Sequence, residues 1–216
     1  MKRYKVVIWD WNGTLADDVG ASLRATNDIL KNHGKAPIDM VQYYEYIDTP
    51  ISRFYAHLFD LDKVPMSVLG PEFSEYYPKY FEGLHKGAGR LLRTLQQAGV
   101  RQVILSSSHA DCITRDAERF EVLPYFETIL AADDLLAGSK VERGKAWIES
   151  QEIAPGDMVM IGDTLHDFDT ARAMGVDCIL CAIGHQSEQD LRTAGVPVVT
   201  AFSELEEMLL EPAAAV

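Results

Sequence analysis

Tyr4 to Leu15 reads YKVVIWDWNGTL, and it restricts the fold more tightly than any other stretch of the chain. A β-branched apolar run, Val6-Val7-Ile8, leads to Asp10, and the polar glycine turn Asn12-Gly13-Thr14 then breaks it. A continuous apolar run describes a strand buried on both faces, as in a parallel sheet with helices on each side. In such sheets ligands bind just beyond the carboxyl ends of the strands. Asp10 therefore stands where chemistry is usually done. Its carboxylate can be read as an Asx-turn or helix cap, or as a nucleophile or metal ligand.

A second run bears on that choice. Met158 to Ile161 is also apolar, and it also stops at a polar glycine turn, Gly162-Asp163-Thr164-Leu165-His166-Asp167. Two strands that end in acids far apart in sequence are what a parallel sheet brings together. Asp10, Asp163 and Asp167 would repel one another strongly without a counter-charge. Hard oxygen ligands on one rim suit Mg²⁺, which takes a few carboxylates, water and substrate phosphate.

The motifs, in order, resemble those of the haloacid dehalogenase superfamily. Asp10-Trp11-Asn12-Gly13-Thr14-Leu15 is similar to its first motif, DxDGT[LV]. Ser106, closing the apolar strand Gln102 to Leu105, matches the second, and Lys140 in Gly138-Ser139-Lys140 resembles the third. Gly162-Asp163 with Asp167 resembles the fourth, GDxxxD. The pairing of DWNGTL with GDTLHD is similar to members of the phosphoglycolate phosphatase type. The resemblance implies an α/β fold, a doubly wound parallel sheet of Rossmann-like form with a small all-α cap inserted. The core would comprise residues 1–15 and 84–216, and the cap residues 16–83. It further implies an enzyme, a Mg²⁺-dependent phosphatase acting on a small phosphorylated metabolite. Asp10 would be the nucleophile that forms an aspartyl-phosphate. Asp10, Asn12 (through its backbone oxygen), Asp163 and Asp167 would bind the metal. Ser106 and Lys140 would hold and neutralise the phosphoryl oxygens, with Ser107 as a further substrate contact.

One residue departs from the pattern. The family places a second Asp where this chain has Asn12, and that Asp protonates the leaving oxygen and then deprotonates the attacking water. An amide does neither, and general acid–base help is worth roughly a hundred- to ten-thousand-fold in rate. Asn12 still offers its backbone carbonyl. Two alternatives follow: dehalogenation, in which Asp10 attacks carbon without a metal, and a poorly active homologue that binds a phospho-ligand. The acidic GDxxxD turn counts against the first, and Asn12 keeps the second open.

Charge narrows the partners. The formal net charge is −13 over 216 residues, which argues against nucleic acid and anionic membranes, since both require basic surfaces. An anionic substrate would approach against this field, so its pocket must be locally positive. No apolar run approaches the roughly 20 residues of a membrane span. The first strand begins almost at Met1, so no secretory leader is expected. Three cysteines, Cys112, Cys178 and Cys181, form no disulfide framework and point to a reducing, cytoplasmic setting. Cys178 and Cys181 spell CxxC, but the run Cys178 to Ile183 reads as a strand, on which they face opposite sides. Buried structural thiols are expected there. The assembly expected is a monomer or homodimer.

Elsewhere the periodicity predicts a helix over Val19 to Asn32, with Asp17 and Asp18 able to cap it. Two aromatic-rich helical regions follow, Tyr43 to Phe59 and Phe73 to Phe81, with Pro50, Pro65, Pro71 and Pro78 starting or breaking helices. Most of these aromatics are expected in the core of the helical insert. Arg53, a cation among apolar neighbours, is read either as a solvated surface arginine or as a clamp for a substrate carboxylate. A helix over Ala88 to Ala98 and another over Ala110 to Phe120 flank strand two, and His109 reads as a turn residue. Lys145 is the alternative to Lys140, read as a solvated charge on the helix Val141 to Glu149. Thr164 is expected to support its turn, and His166 to point outward. The last strands are predicted to end at Gly184-His185 and to cover Val196 to Val199. A helix over Glu204 to Leu210 and a frayed tail from Pro212 close the chain.

Overall fold

The computed structural model describes residues 4–132 and 139–210. Gly138 and the tail from Pro212 lie outside these residues. In chain order the elements are β1 (Val6–Trp9), then α1 (Val19–Asn32), α2 (Met40–Tyr46), α3 (Ile51–Leu58) and α4 (Met66–Tyr76). There follow α5 (Ala88–Gln97), β2 (Arg101–His109), α6 (Ala110–Arg119), β3 (Thr128–Ala132) and α7 (Lys140–Glu149). The remainder is β4 (Met158–Gly162), α8 (Leu165–Met174), β5 (Asp177–Cys181), α9 (Glu188–Leu191), β6 (Val198–Val199) and α10 (Phe202–Leu210). The chain divides into two compact units, Asp17–Gly83 and the residues on either side of it.

The flanking unit is an α/β doubly wound sheet. Its six parallel strands run in the order β3-β2-β1-β4-β5-β6. The first strand in sequence is thus central, with β2 on one side and β4 on the other. Trp9 sits opposite both Ile104 and Ile161, so the residues that follow these positions emerge together at one rim. That is the place where strand order reverses and where open sheets bind ligands.

Alternation along β1 supplies both faces. Val6 and Ile8 join Val103, Leu105, Met158, Met160 and Leu180 under Ile148 of α7 and Ala171 and Met174 of α8. On the other face Trp9 stacks on Phe202 at 6.4 Å, and its indole N–H donates to Gln102 Oε1 at 3.1 Å. Gln102 in turn donates to the carbonyl of Leu92 at 2.8 Å, which satisfies a polar side chain buried under α5. The helix itself buries Ala88, Leu91, Leu92 and Leu95, a stripe with helical spacing.

The helical unit is built on aromatic packing. Tyr43, Phe54, Tyr55, Phe59 and Leu69 share a core with Val19, Ile29 and Leu30, and Tyr43 meets Phe54 edge-on at 5.4 Å. Burying a side chain such as Phe54 contributes about 1.5–3 kcal/mol.

Several sequence expectations are revised. Pro71 lies inside α4, because tertiary packing of the helix outweighs one missing backbone donor. Asp18 occupies the start of α1 but makes no side-chain capping bond there; it accepts instead from Tyr77 Oη at 2.9 Å. Strand β2 runs through the serines to His109, with a register shift after Leu105. β5 ends at Cys181 and β6 holds only Val198–Val199. His109 also caps α6, its Nδ1 accepting from the Asp111 amide at 3.3 Å. Among the described residues no helix is long and apolar enough to cross a membrane.

Candidate active site

The acids leave the rim of the sheet by short, well-tied turns. After β1 the Asp10 amide donates to the Ile161 carbonyl at 2.9 Å, so this residue is still held by β4. The amides of Leu15 and Ala16 both donate to the carbonyl of Trp11, folding the chain back on itself. Gly13 has φ +71°, and a Cβ there would collide with the Asp163 carboxylate and the His185 ring. Glycine is required at that position twice over, for backbone conformation and for space.

Asp163, just past β4, is buried and fully engaged. Its Oδ1 accepts from Thr14 Oγ1 at 2.9 Å and its Oδ2 from the His185 amide at 2.7 Å. Thr164 caps α8 in a reciprocal capping box with Asp167. Asp167 Oδ2 accepts from Thr164 Oγ1 at 2.7 Å and from the amides of Thr164 and Asp163 at 3.0 and 3.2 Å. The turn from β4 into α8 thereby carries both acids, and the bond from the Asp163 amide to Asp167 ties them together.

Lys140 opens α7 and is buried, with Nζ donating to Asp10 Oδ1 at 2.5 Å and to Asp167 Oδ1 at 2.6 Å. Ser139 caps that helix in a second capping box, with Glu142. Lys145 lies exposed further along the same helix. Ligand oxygens of Asp10, Asp163 and Asp167 lie within 4.8 Å of one another.

The electrostatics follow from three buried carboxylates facing one ammonium. Burial, aided by the charges of Asp167 and Asp163, pushes the Asp10 carboxyl up to about 8 against the pull of Lys140. Burial likewise raises Asp163 to about 6. Burial also works against ionised Asp167, but Lys140 and the Thr164 hydrogen bonds outweigh it and hold its pKa below the ordinary value. For Lys140 burial is opposed by both aspartates, which keep the ammonium charged well above its usual range. The cluster is short of positive charge. A divalent cation with a preference for hard oxygen donors fits that shortfall, and Asp10, Asp163 and Asp167 are the residues that would hold it.

Around this centre, Asn12 Oδ1 accepts from Ser108 Oγ at 2.6 Å. Ser106 is buried and its Oγ accepts from the Ser108 amide at 3.1 Å, while Ser107 is exposed. His85 Nε2 lies 3.0 Å from the Gly13 carbonyl. His166 is half-buried rather than turned wholly to solvent, and burial, then the Lys140 charge, hold its pKa below the ordinary value. Arg53 belongs to the helical unit, where it is exposed and pairs with Asp48 at 3.4 Å. The geometry thus brings Asp10, Asp163, Asp167 and Lys140 together and ties Asn12 to the end of β2. Sequence reasoning missed Ser108, two residues past Ser106, and the role of Thr14, which lies within the first motif.

Comparison with known proteins shows the family and the fold. The sequence profile described as "Haloacid dehalogenase-like hydrolase" matches residues 7–181. A phosphoglycolate phosphatase of Nitrosospira multiformis is 28% identical over 205 residues, covering 87% of each chain. The tyrosine-protein kinase PtkA of Mycobacterium tuberculosis is 27% identical over 207 residues, or 94% of this chain and 71% of that protein. Its solved structure superposes with a TM-score of 0.79 at 25% identity, covering 98% of this chain and all of that one. A haloacid dehalogenase-like hydrolase of Streptococcus pneumoniae gives a TM-score of 0.81 at 19% identity, covering 95% and 98%.

Proposed function

The chain belongs to the haloacid dehalogenase-like hydrolases, and we propose that it is a Mg²⁺-dependent phosphatase of a small phosphorylated metabolite, of the phosphoglycolate type. The observation that carries this reading is Lys140 seated between Asp10 and Asp167, with Asp163 completing a cluster of three acids. A site of that charge suits phosphoryl transfer better than attack at carbon, which needs no metal.

In the reaction Asp10 Oδ attacks phosphorus as the bond to the leaving oxygen breaks, giving an aspartyl-phosphate. Water then attacks phosphorus, releases phosphate and restores the carboxylate. Lys140 neutralises charge on both the nucleophile and the phosphoryl oxygens, and Ser106 and Ser107 hold those oxygens. Bound Mg²⁺, held by the three aspartates and the Asn12 carbonyl, would supply further charge stabilisation. Asn12 donates no proton, so a leaving oxygen that departs readily as an anion is favoured.

The test is hydrolysis of p-nitrophenyl phosphate with Mg²⁺ by the native chain, Asp10→Asn and Asn12→Asp. Turnover by the native chain that Asp10→Asn abolishes supports the reading. Turnover unaffected by Asp10→Asn overturns it. A second reading, a phospho-ligand binder with little turnover, draws on the amide at position 12 and its bond from Ser108. Silence of the native chain together with activity in Asn12→Asp would favour that alternative.

A further inference from the structure

Beyond the residues already assigned roles, α7 presents one more charged side chain to the rim of the sheet. Arg143 is half-buried, and its Nη2 donates to the main-chain carbonyl of Ser106 at 2.9 Å. It follows Lys140 by three positions, so both point to the same side of the helix. Lys140 reaches Asp10 and Asp167, while Arg143 reaches the end of β2.

The carbonyl it meets lies where the ladder is irregular. The ladder between β2 and β3 slips after Leu105: the step from Leu105 to His109 on β2 spans only Leu130 to Ala132 on β3. Such an irregularity leaves main-chain groups outside the ladder and re-aims the side chains around it. Ser106 and Ser108 fall within this segment. A buried carbonyl requires a donor, and for Ser106 the Arg143 guanidinium provides a charge-assisted one.

Packing brings α7 close enough to do this. Gly144 follows Arg143, and a Cβ there would collide with Met174 Sδ and lie 3.0 Å from Leu105 Cδ2. The helix is therefore wedged between the residue that precedes Ser106 and the helix that carries Asp167. Arg143 directly precedes this close contact, on a helix whose distance from β2 is set by packing on both sides.

We infer that Arg143 is a positioning residue for phosphoryl binding: by holding the Ser106 carbonyl it sets where the Ser106 side chain meets a phosphoryl oxygen. This rests on the reading of Ser106 as a phosphoryl ligand. Arg143 acts through Ser106, so its effect depends on the serine hydroxyl being present.

The experiment is a double-mutant cycle on the full-length chain with Mg²⁺, comparing native, Arg143→Gln, Ser106→Ala and the double variant. The ligand is inorganic phosphate, read by calorimetry and as a competitive inhibitor of p-nitrophenyl phosphate hydrolysis. Arg143→Gln is expected to weaken phosphate and raise KM roughly tenfold, the scale of one charge-assisted hydrogen bond, with kcat within about twofold. In the Ser106→Ala background the same change is expected to add less than about twofold, because coupled residues are not additive. Arg143→Lys, which keeps the charge and a donor, should recover part of the loss, and it serves as the test variant if the glutamine chain does not fold.

Independent, multiplying effects of the two substitutions would overturn the inference. So would a folded Arg143→Gln chain that binds phosphate as the native one does, or a native chain that binds no phosphate. The calorimetric cycle does not need turnover. Coupling without hydrolysis would therefore uphold Arg143 while removing the phosphatase reading, and hydrolysis without coupling would do the reverse.

Discussion

Lys140 Nζ lies 2.5 Å from Asp10 Oδ1 although 130 positions separate the two residues in the chain. The same ammonium reaches Asp167 at 2.6 Å. This one side chain carries the positive charge that lets buried acids share the rim of the sheet.

Replacing Lys140 by Met should therefore hurt twice. Activity is expected to fall about a hundred- to a thousand-fold, the usual loss for a preorganised charge at a transferring group. The metal-free fold should lose about 3–5 kcal/mol, because removing one partner leaves buried charge uncompensated. Urea unfolding in chelator together with steady-state kinetics reads both, and unchanged stability would show that the acids are not charged in the folded chain.

Mg²⁺ should stabilise the folded chain. At a hundredfold excess over its Kd, a ligand that binds only the native state contributes about 2.7 kcal/mol. The Tm should rise with added Mg²⁺ in the native chain and stay flat in Asp163→Asn, which removes one of the three acids of the cluster. An equal rise in the variant would place the ion elsewhere.

Gly13→Ala should cripple the site while leaving the sheet intact. A Cβ at that position collides with Asp163 and His185, and its φ of +71° is costly for alanine. Displacing a site carboxylate by about an ångström can cost a hundredfold in rate. Loss of activity and of the Mg²⁺-dependent rise in Tm, with native-like far-ultraviolet circular dichroism, is the expected pattern.

The thiols should divide by exposure. Cys112 is exposed and Cys178 and Cys181 are buried. Burial pushes the Cys178 thiol up to about 12 and Cys181 well above the ordinary value, so neither offers a thiolate at pH 8. Ellman's reagent should titrate one thiol quickly in the native chain and three after denaturation. Cys112→Ser should abolish the fast phase.

Much of the architecture was readable from the chain itself, because each relevant signal is local. Val6 to Ile8 and Met158 to Ile161 are apolar runs that announce buried strands, and each is followed within a few residues by its acids. Asp163 and Asp167 stand four positions apart in the turn that leads from β4 into α8, so their proximity depends little on the rest of the fold. The α1 helix was also legible to its ends, since its periodicity and its terminating His33-Gly34 lie within the segment. The serines of β2 were less so: the apolar run ends at Leu105, but the strand continues through them to His109.

Tertiary structure decided what depends on distant partners. Lys140 and Lys145 lie on one helix, the first buried and the second exposed; strand order and the close approach of Gly144 to Leu105 and Met174 settle that, and those partners stand far from the lysines in the chain. Ser108 meets Asn12 and Arg143 meets Ser106 only because β2 lies beside β1 and α7 beside β2. Asp18, a plausible cap by position, turns to Tyr77 instead. The sequence alone determined which residues could carry charge at strand ends. Which of them meet, and at what pKa, came from long-range packing, because burial and Coulomb interaction depend on distance in space rather than along the chain.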